Sequence, residues 1–271
     1  MFKFAIASLL VIVAATAPAP AETSLTAAGS NALLPLFKAA AEAYHAAHPD
    51  VSVSVSGGGS LSGIARVAAK EVDLAMSDVP ASEPDLVDHR VAVVAFSVVT
   101  NPDAGVRNVT RSQLRDIFAG KISNWKDVGG ADLAIVVIER PRNSETRALF
   151  DGTFMSGVPL RDAGRAEEAT ATAVAAVRAT AGAVSYASFG GTKIYAGGRF
   201  ETAEGIGELS IDGVAPSEEN VANGSYPFWT FEHVYTNGPA GATESRFIAF
   251  AATRSSLLRE LGFIPIATMK R

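Results

Sequence analysis

A mixed α/β fold is what three features of the sequence predict. Strand-like and helix-like segments alternate in β-α-β-α-β order up to residue 101, which calls for a sheet with right-handed helical crossovers. The stretch "VSVSVS" at 51–56 alternates strictly, as a strand with one buried face does. "VAVVAFSVVTN" at 91–101 is Val-rich throughout and reads as a strand buried on both faces.

The elements follow in order. Leu25 to Ala28 is a short strand, followed by the turn Gly29-Ser30-Asn31. In the run after it Leu33, Leu36, Phe37, Ala40 and Tyr44 recur at helical spacing. Pro35 fits only a first turn, which sets the helix start near Ser30-Asn31, and Pro49-Asp50 ends it. Gly57-Gly58-Gly59 turns the chain from the strand at 51–56 into a second helix starting near Ser60. "VDLAMSD" is a short buried strand closing on Ser77-Asp78. Thr110 caps a short helix that stops at Gly120, and "LAIVVIER" (133–140) is another apolar strand. "RPRNSETR" (140–147) is a cationic turn opening a helix. The Ala/Thr-rich stretch after Glu167 is a helix ending near Gly182, with a strand at 183–187. "FWTFEHVYTN" (228–237) is aromatic and β-branched, and one closing helix spans about 242–260.

The N-terminus reads differently from the rest. Lys3, the apolar run Phe4 to Ala15 and the small residues Ala19-Pro20-Ala21 make residues 1–21 a cleavable secretory signal, too short for a membrane span. Lys3 is its sole charge, so the formal −5 of the whole chain becomes −6 without it. Such a mildly acidic protein is not expected to bind nucleic acid. With no Cys, disulfides, thiolate metal sites and a lipid-attachment thiol are excluded. The four His (45, 48, 89, 233) are scattered, so no metal site is expected.

Three turns share one layout, in which a strand runs into a small polar turn and then a helix. They are Gly29-Ser30-Asn31, Gly57 to Ser60, and Arg140 to Thr146. In an α/β sheet such turns lie at the carboxyl ends of strands, where ligands bind. Free N–H groups, hydroxyls and helix dipoles there suit an oxyanion, and Arg140 adds a bidentate charged donor. Taken singly, each Ser, Thr or Asn is as well explained as an ordinary helix cap. "GGGSLSG" is neither G-x-G-x-x-G nor a Walker motif, "AGKIS" lacks the P-loop spacing, and no G-x-S-x-G elbow exists. Asp78 closes its strand at the same sheet edge, where a turn-capping role is its plain alternative. An ionised Asp beside an anion makes sense when the anion is protonated. Monohydrogen phosphate has a proton to give, whereas sulfate would leave two acceptors facing each other.

The blocks "AAGSNALLPLFKAAAEAYHAAHPDVSVSVSGGGSLSGIARVAAKEVDLAMSD", "NVTRSQLRDIFAGKISNWKDVGG", "GAVSYASFG" and "GVAPSEENVANGSYPFW" resemble the periplasmic phosphate-binding proteins of phosphate ABC transporters. The likeness runs from Leu25 to about Trp229. It implies a two-lobe periplasmic-binding-protein fold, each lobe a mixed β-sheet flanked by helices, joined by two crossing hinge strands. Lobe 1 would be 22–98 plus 229–271 and lobe 2 would be 99–228. The ligand contacts it implies are Ser30, Asn31, Ala32, Ser60, Asp78, Arg140, Ser144, Glu145 and Thr146. It further implies a monomeric, non-enzymatic periplasmic receptor without cofactor that captures phosphate and delivers it to permease subunits of the inner membrane. The alternatives are a receptor for sulfate, molybdate or a phosphonate, or a non-transport paralogue in sensing or adhesion. Two positions depart from the family pattern: Asn31 stands for a Thr, and Glu145 for a Gly. Two directions are open to the Glu145 side chain: outward, to pair with Arg142 or Arg147 at the surface, or inward, where its carboxylate would repel the ligand.

Overall fold

The computed structural model describes residues 23–142, 144–161 and 166–270; the signal segment 1–21 lies outside them. Strand β1 (Thr23–Gly29) leads through helix α1 (Leu34–Ala47) to β2 (Val51–Ser56), then through α2 (Ser60–Ala68) to β3 (Leu74–Ser77). β1 lies between β2 and β3, parallel to both, as the β-α-β-α-β order predicts. Pro35 sits in the first turn of α1, whose buried face is Leu36, Phe37, Ala40, Ala41 and Tyr44.

The long strand β4 (Leu86–Thr100) is five residues longer at its start than its sequence suggests, and Val91 to Thr100 are all buried. The polypeptide continues through β5 (Asn108–Val109), α3 (Arg111–Phe118), β6 (Val136–Val137), α4 (Glu145–Phe150) and α5 (Thr170–Ala179) to β7 (Ala183–Ser188). A short helix α6 (Phe189–Thr192) and the hairpin β8 (Lys193–Ala196) and β9 (Arg199–Thr202) follow, then β10 (Gly207–Glu208), β11 (Ser210–Ile211) and α7 (Glu218–Ala222). β12 (Trp229–Asn237), α8 (Ala242–Ala252), α9 (Ser255–Glu260) and β13 (Phe263–Pro265) complete the described residues.

One sheet runs in the order β2-β1-β3-β12-β4-β7-β6 among the described residues. β4 holds it together. On one edge it pairs antiparallel with β12 from Leu86 to Ala95 and with β10 at Val99 and Thr100. On the other edge it pairs with β13 at Ala92 to Val94 and with β7 from Phe96 to Thr100. The change of partner at Phe96 divides the sheet into two halves on a single strand. There the Phe96 N–H donates to Phe228 O at 3.0 Å and the two rings stack 4.9 Å apart.

Each half has its own aromatic core. Phe247 of α8 packs edge-on to Phe37 and Tyr44 of α1, with centroids 5.8 and 5.5 Å away. In the other half Phe150 stacks on Tyr186 at 4.1 Å and meets Phe118, Phe154 and Phe228. Rings so arranged add to their area burial and fix the position of α4.

Two sequence expectations are corrected. The strand predicted over 133–140 is only Val136–Val137: Ile138 N–H still donates to Val184 O of β7, and from Glu139, which bridges to Ala166, the backbone changes partner. The single closing helix is two helices, broken at Thr253-Arg254, where the Thr253 N–H and hydroxyl both donate to Ala249 O.

Candidate functional site

The site is assembled by close backbone approach at the carboxyl ends of β1 and β3. Gly29 has φ +134°, and a Cβ there would lie 2.1 Å from Met76 O. The missing side chain lets the Ser30 N–H donate to Met76 O at 2.8 Å and brings Ser30 beside Asp78. Gly63 does the same for α2, since a Cβ would meet Ala28 O and Gly29 Cα at 2.7 Å each. The helix therefore rests directly on β1 and seats Ser60 at its first turn.

Asp78 is held from two sides. Its N–H donates to Ser60 Oγ at 3.1 Å, and its Oδ1 accepts from the Ser30 hydroxyl. Ser30 Oγ in turn accepts from Ala32 N at 3.0 Å and Leu33 N at 3.1 Å. Neither serine caps its helix: Ser30 holds the turn before α1, Ser60 is the first residue of α2, and both anchor Asp78. Asn31 bends away from Asp78, its Oδ1 accepting from Gly58 N at 3.4 Å.

A cleft of about 530 Å³ lies between the two halves. Ala32 and Asp78 line it from the first half, Glu145 and Thr146 of α4 from the second. Val94, Phe96, Leu149 and Phe263 make much of the remaining wall apolar, and Gly190-Gly191 of α6 form part of its rim. No Lys, Arg or His is among the described residues that line it.

Of the other predicted contacts, Ser144 caps α4, accepting from Arg147 N at 3.3 Å. Ser30, Asn31, Ser60, Arg140 and Ser144 are not in the cleft wall itself. Arg140 is 5% exposed and its Nη2 donates to Glu168 O at 2.6 Å, while Nε and Nη1 are buried without a partner. Burial pulls its pKa below the ordinary arginine value.

Glu145 takes the inward of its two directions. Its residue stands at the solvent-accessible lip, yet its carboxyl turns inward to Asp78 and Ser60 rather than outward to an arginine. Burial, with Asp78 next, pushes it up to about 7. Arg147 is not a surface residue either. It donates from Nη1 to Arg140 O at 2.9 Å and lies 3.7 Å from Glu139 Oε2 and 3.8 Å from Asp151 Oδ2. Glu139 also accepts from the Tyr186 hydroxyl at 3.2 Å, and burial raises it to about 7.

Sequence reasoning missed Glu232. It lies on β12, 1% exposed, where the pairing with β4 slips between Glu232 and His233. The bulge separates their tasks: His233 Nδ1 bonds Asp88 at 2.8 Å, and Glu232 lines the cleft beside Asp78. Its Oε2 is buried with no partner. Burial, then Asp78 and Glu145, drive its pKa well above the usual carboxylate range. A lone acid inside "FWTFEHVY" was the available signal, since an unpaired charge in a buried strand is costly.

Comparison with known proteins gives a family and a ligand class among relatives. A family model described as a PBP superfamily domain matches residues 14–255. The phosphate-binding protein PstS of Bacillus subtilis (strain 168) is 38% identical over 259 residues, spanning 92% of this chain and 83% of that one. An ABC-type phosphate transport receptor from Vibrio cholerae superposes with a TM-score of 0.73 at 25% identity, covering 89% of this chain and 99% of that one. A putative phosphate ABC transporter substrate-binding protein from Clostridium perfringens, solved with bound phosphate, gives 0.72 at 25% identity over 90% and 100% of the two chains.

Proposed function

The chain belongs to the PBP superfamily and, within it, to the phosphate-binding PstS family, and from that premise we propose that it is an extracytoplasmic receptor that captures phosphate in the cleft and delivers it to an ABC permease. One observation carries the reading. Asp78 is fixed at the cleft by Ser30 and Ser60, its carboxylate positioned to accept a proton from monohydrogen phosphate. The ligand proton makes phosphate a donor to Asp78, and sulfate, lacking it, presents only acceptors.

The remaining contacts follow from what each group can supply. Thr146 offers a backbone N–H and a hydroxyl at the cleft, and Ala32, whose N–H is held by Ser30 Oγ, shapes the opposite wall. Arg140 holds two unpartnered guanidinium nitrogens at the base of α4 and is assigned the charged donor, with Ser144 beside it. Ser60 and Asn31 hold the first-half turns in register. The hinge is assigned to Phe96 and Phe228, where β4 changes partners, giving lobes 22–98 plus 229–271 and 99–228.

No helix of the described residues is long and apolar enough to cross a membrane. The proposal also takes residues 1–21 as a cleavable export signal, the periplasm as the compartment, a monomer without lipid anchor as the working form, and no catalysis. Titration calorimetry of ligand-stripped protein with phosphate, sulfate and molybdate tests it. Phosphate should bind at least a hundredfold more tightly than the other two; tighter sulfate binding would overturn the assignment.

A further inference from the structure

The cleft of a receptor read as binding an anion is lined by three carboxyl groups from three different elements. Asp78 follows β3, Glu145 opens α4 and Glu232 lies on β12. If all three were ionised, a doubly charged oxyanion would meet three like charges across the same space. We propose that the cleft takes up its oxyanion together with a proton, which Glu145 binds, while Glu232 stays a neutral acid donating its hydrogen to Asp78. This deepens, and rests on, the reading of the cleft as a phosphate site.

The groups that face these acids supply no compensating positive charge. Glu145 contacts Asp78 and Ser60, and Glu232 contacts Asp78 and feels Glu145. Across the sheet, β4 presents Ala92 to Glu232. The cations of the neighbouring elements are not in the cleft wall beside these acids. Arg140 bonds Glu168 O through one nitrogen and keeps two for the ligand rather than for the acids, Arg147 pairs with Glu139 and Asp151, and Arg142 acts on Asp151. On β12 and β4, His233 bonds Asp88 and Arg90 lies over Phe231.

Glu232 is the firmer of the two. A carboxyl 1% exposed, with one oxygen unpartnered and its neighbour another carboxyl, has hydrogen as its available counter-charge. Donated to Asp78, that hydrogen occupies one of its lone pairs and leaves the others for the ligand. Glu145 sits at the lip, in reach of solvent, and titrates near 7. Below that pH it is already a neutral donor when phosphate arrives. Above it, a proton moves from solvent onto the Glu145 carboxylate as the anion binds; only that O–H bond forms, and the ligand keeps its own proton for Asp78. An approaching anion favours the neutral acid further, so binding and protonation reinforce each other.

Titration calorimetry of the full ligand-stripped chain with inorganic phosphate, in two buffers of different ionisation enthalpy from pH 6 to 9, reads the proton count directly. At pH 8 wild type should take up about one proton more per phosphate than Glu145→Gln does. The affinity of Glu145→Gln relative to wild type should grow about tenfold per pH unit above about 7, phosphate's own titration cancelling in the ratio. Glu232→Leu should weaken phosphate about tenfold, and Glu232→Gln should recover most of that loss, because a neutral amide also donates to Asp78. Equal proton counts in wild type and Glu145→Gln would overturn the role of Glu145. Tighter phosphate binding by both Glu232 variants at pH 8 would show that Glu232 carried a charge. Phosphate producing no heat in any of these proteins at any pH would overturn the phosphate reading itself.

Discussion

The hydroxyl of Ser30 donates to the carboxylate of Asp78 while accepting from the N–H groups of Ala32 and Leu33. One side chain thus ties the end of β3 to the entry of α1 and sets the direction of the cleft's first carboxylate. Ser30→Ala should cost about 1 kcal/mol of stability through the lost hydrogen bonds of the turn. It should also weaken phosphate binding roughly tenfold, the scale of one hydrogen bond to a charged group. Denaturant unfolding and calorimetry read the two effects separately, and unchanged affinity would mean that Asp78 is oriented by something else.

Asp78→Asn is expected to narrow the gap between phosphate and sulfate. An amide can donate to an unprotonated sulfate oxygen, whereas the carboxylate cannot. The phosphate-to-sulfate affinity ratio should fall by about a hundredfold, in line with the cost of leaving buried polar groups mismatched. Competition titrations of both anions check this; an unchanged ratio removes Asp78 from discrimination.

Much of this was legible because it depends on local pattern. The strict alternation of 51–56, the Gly-Ser turn before Leu33 and the acid closing "VDLAMSD" each report a backbone requirement within a few residues. The direction of Glu145 was not legible. Its nearest arginines in sequence look like partners, but Arg147 is drawn beneath α4 by Glu139, which lies eight residues away and is brought there by the short strand β6. Glu232 escaped for a similar reason. A strand's period says which face a residue takes, and the bulge at Glu232-His233 resets that period locally.

Arg140 offers a sharper test of the ligand contacts. Two of its buried nitrogens lack partners, an arrangement that costs stability unless a ligand engages them. Arg140→Lys keeps a charge but loses the fork, and should weaken phosphate binding at least about tenfold, with Arg140→Ala weaker by a further factor of ten or more. If both variants bind as wild type does, the guanidinium is structural.

Gly29 should tolerate no side chain. At φ +134° an L-residue is strained, and the added Cβ would lie 2.1 Å from Met76 O. Gly29→Ala is expected to lose about 3 kcal/mol or more in urea unfolding, through backbone strain together with the parting of β1 from β3. Gly59→Ala is the control: its φ is also positive, at +88°, but nothing lies within 4 Å of the new Cβ. It should cost about 1–2 kcal/mol from strain alone. Equal losses at the two positions would show that the close approach to Met76 is not what excludes the side chain.

The buried Glu139 makes stability depend on pH in a direction opposite to most acids. Its ordinary value is 4.5, and burial raises it to about 7 in the folded chain. Between those values the folded state binds the proton and the unfolded state releases it. The stabilisation is therefore complete below about pH 4.5 and lost as pH rises through 7. Arg147 at 3.7 Å tempers the loss without cancelling it, since desolvation outweighs the ion pair. Glu139→Gln removes the titration and keeps an acceptor for the Tyr186 hydroxyl. Relative to wild type, the variant should gain on the order of 2–3 kcal/mol between pH 4.5 and pH 8. Urea unfolding of both proteins across that range measures the difference. A flat difference would mean that Glu139 is ionised in the fold, with Arg147 as a full counter-ion beneath α4.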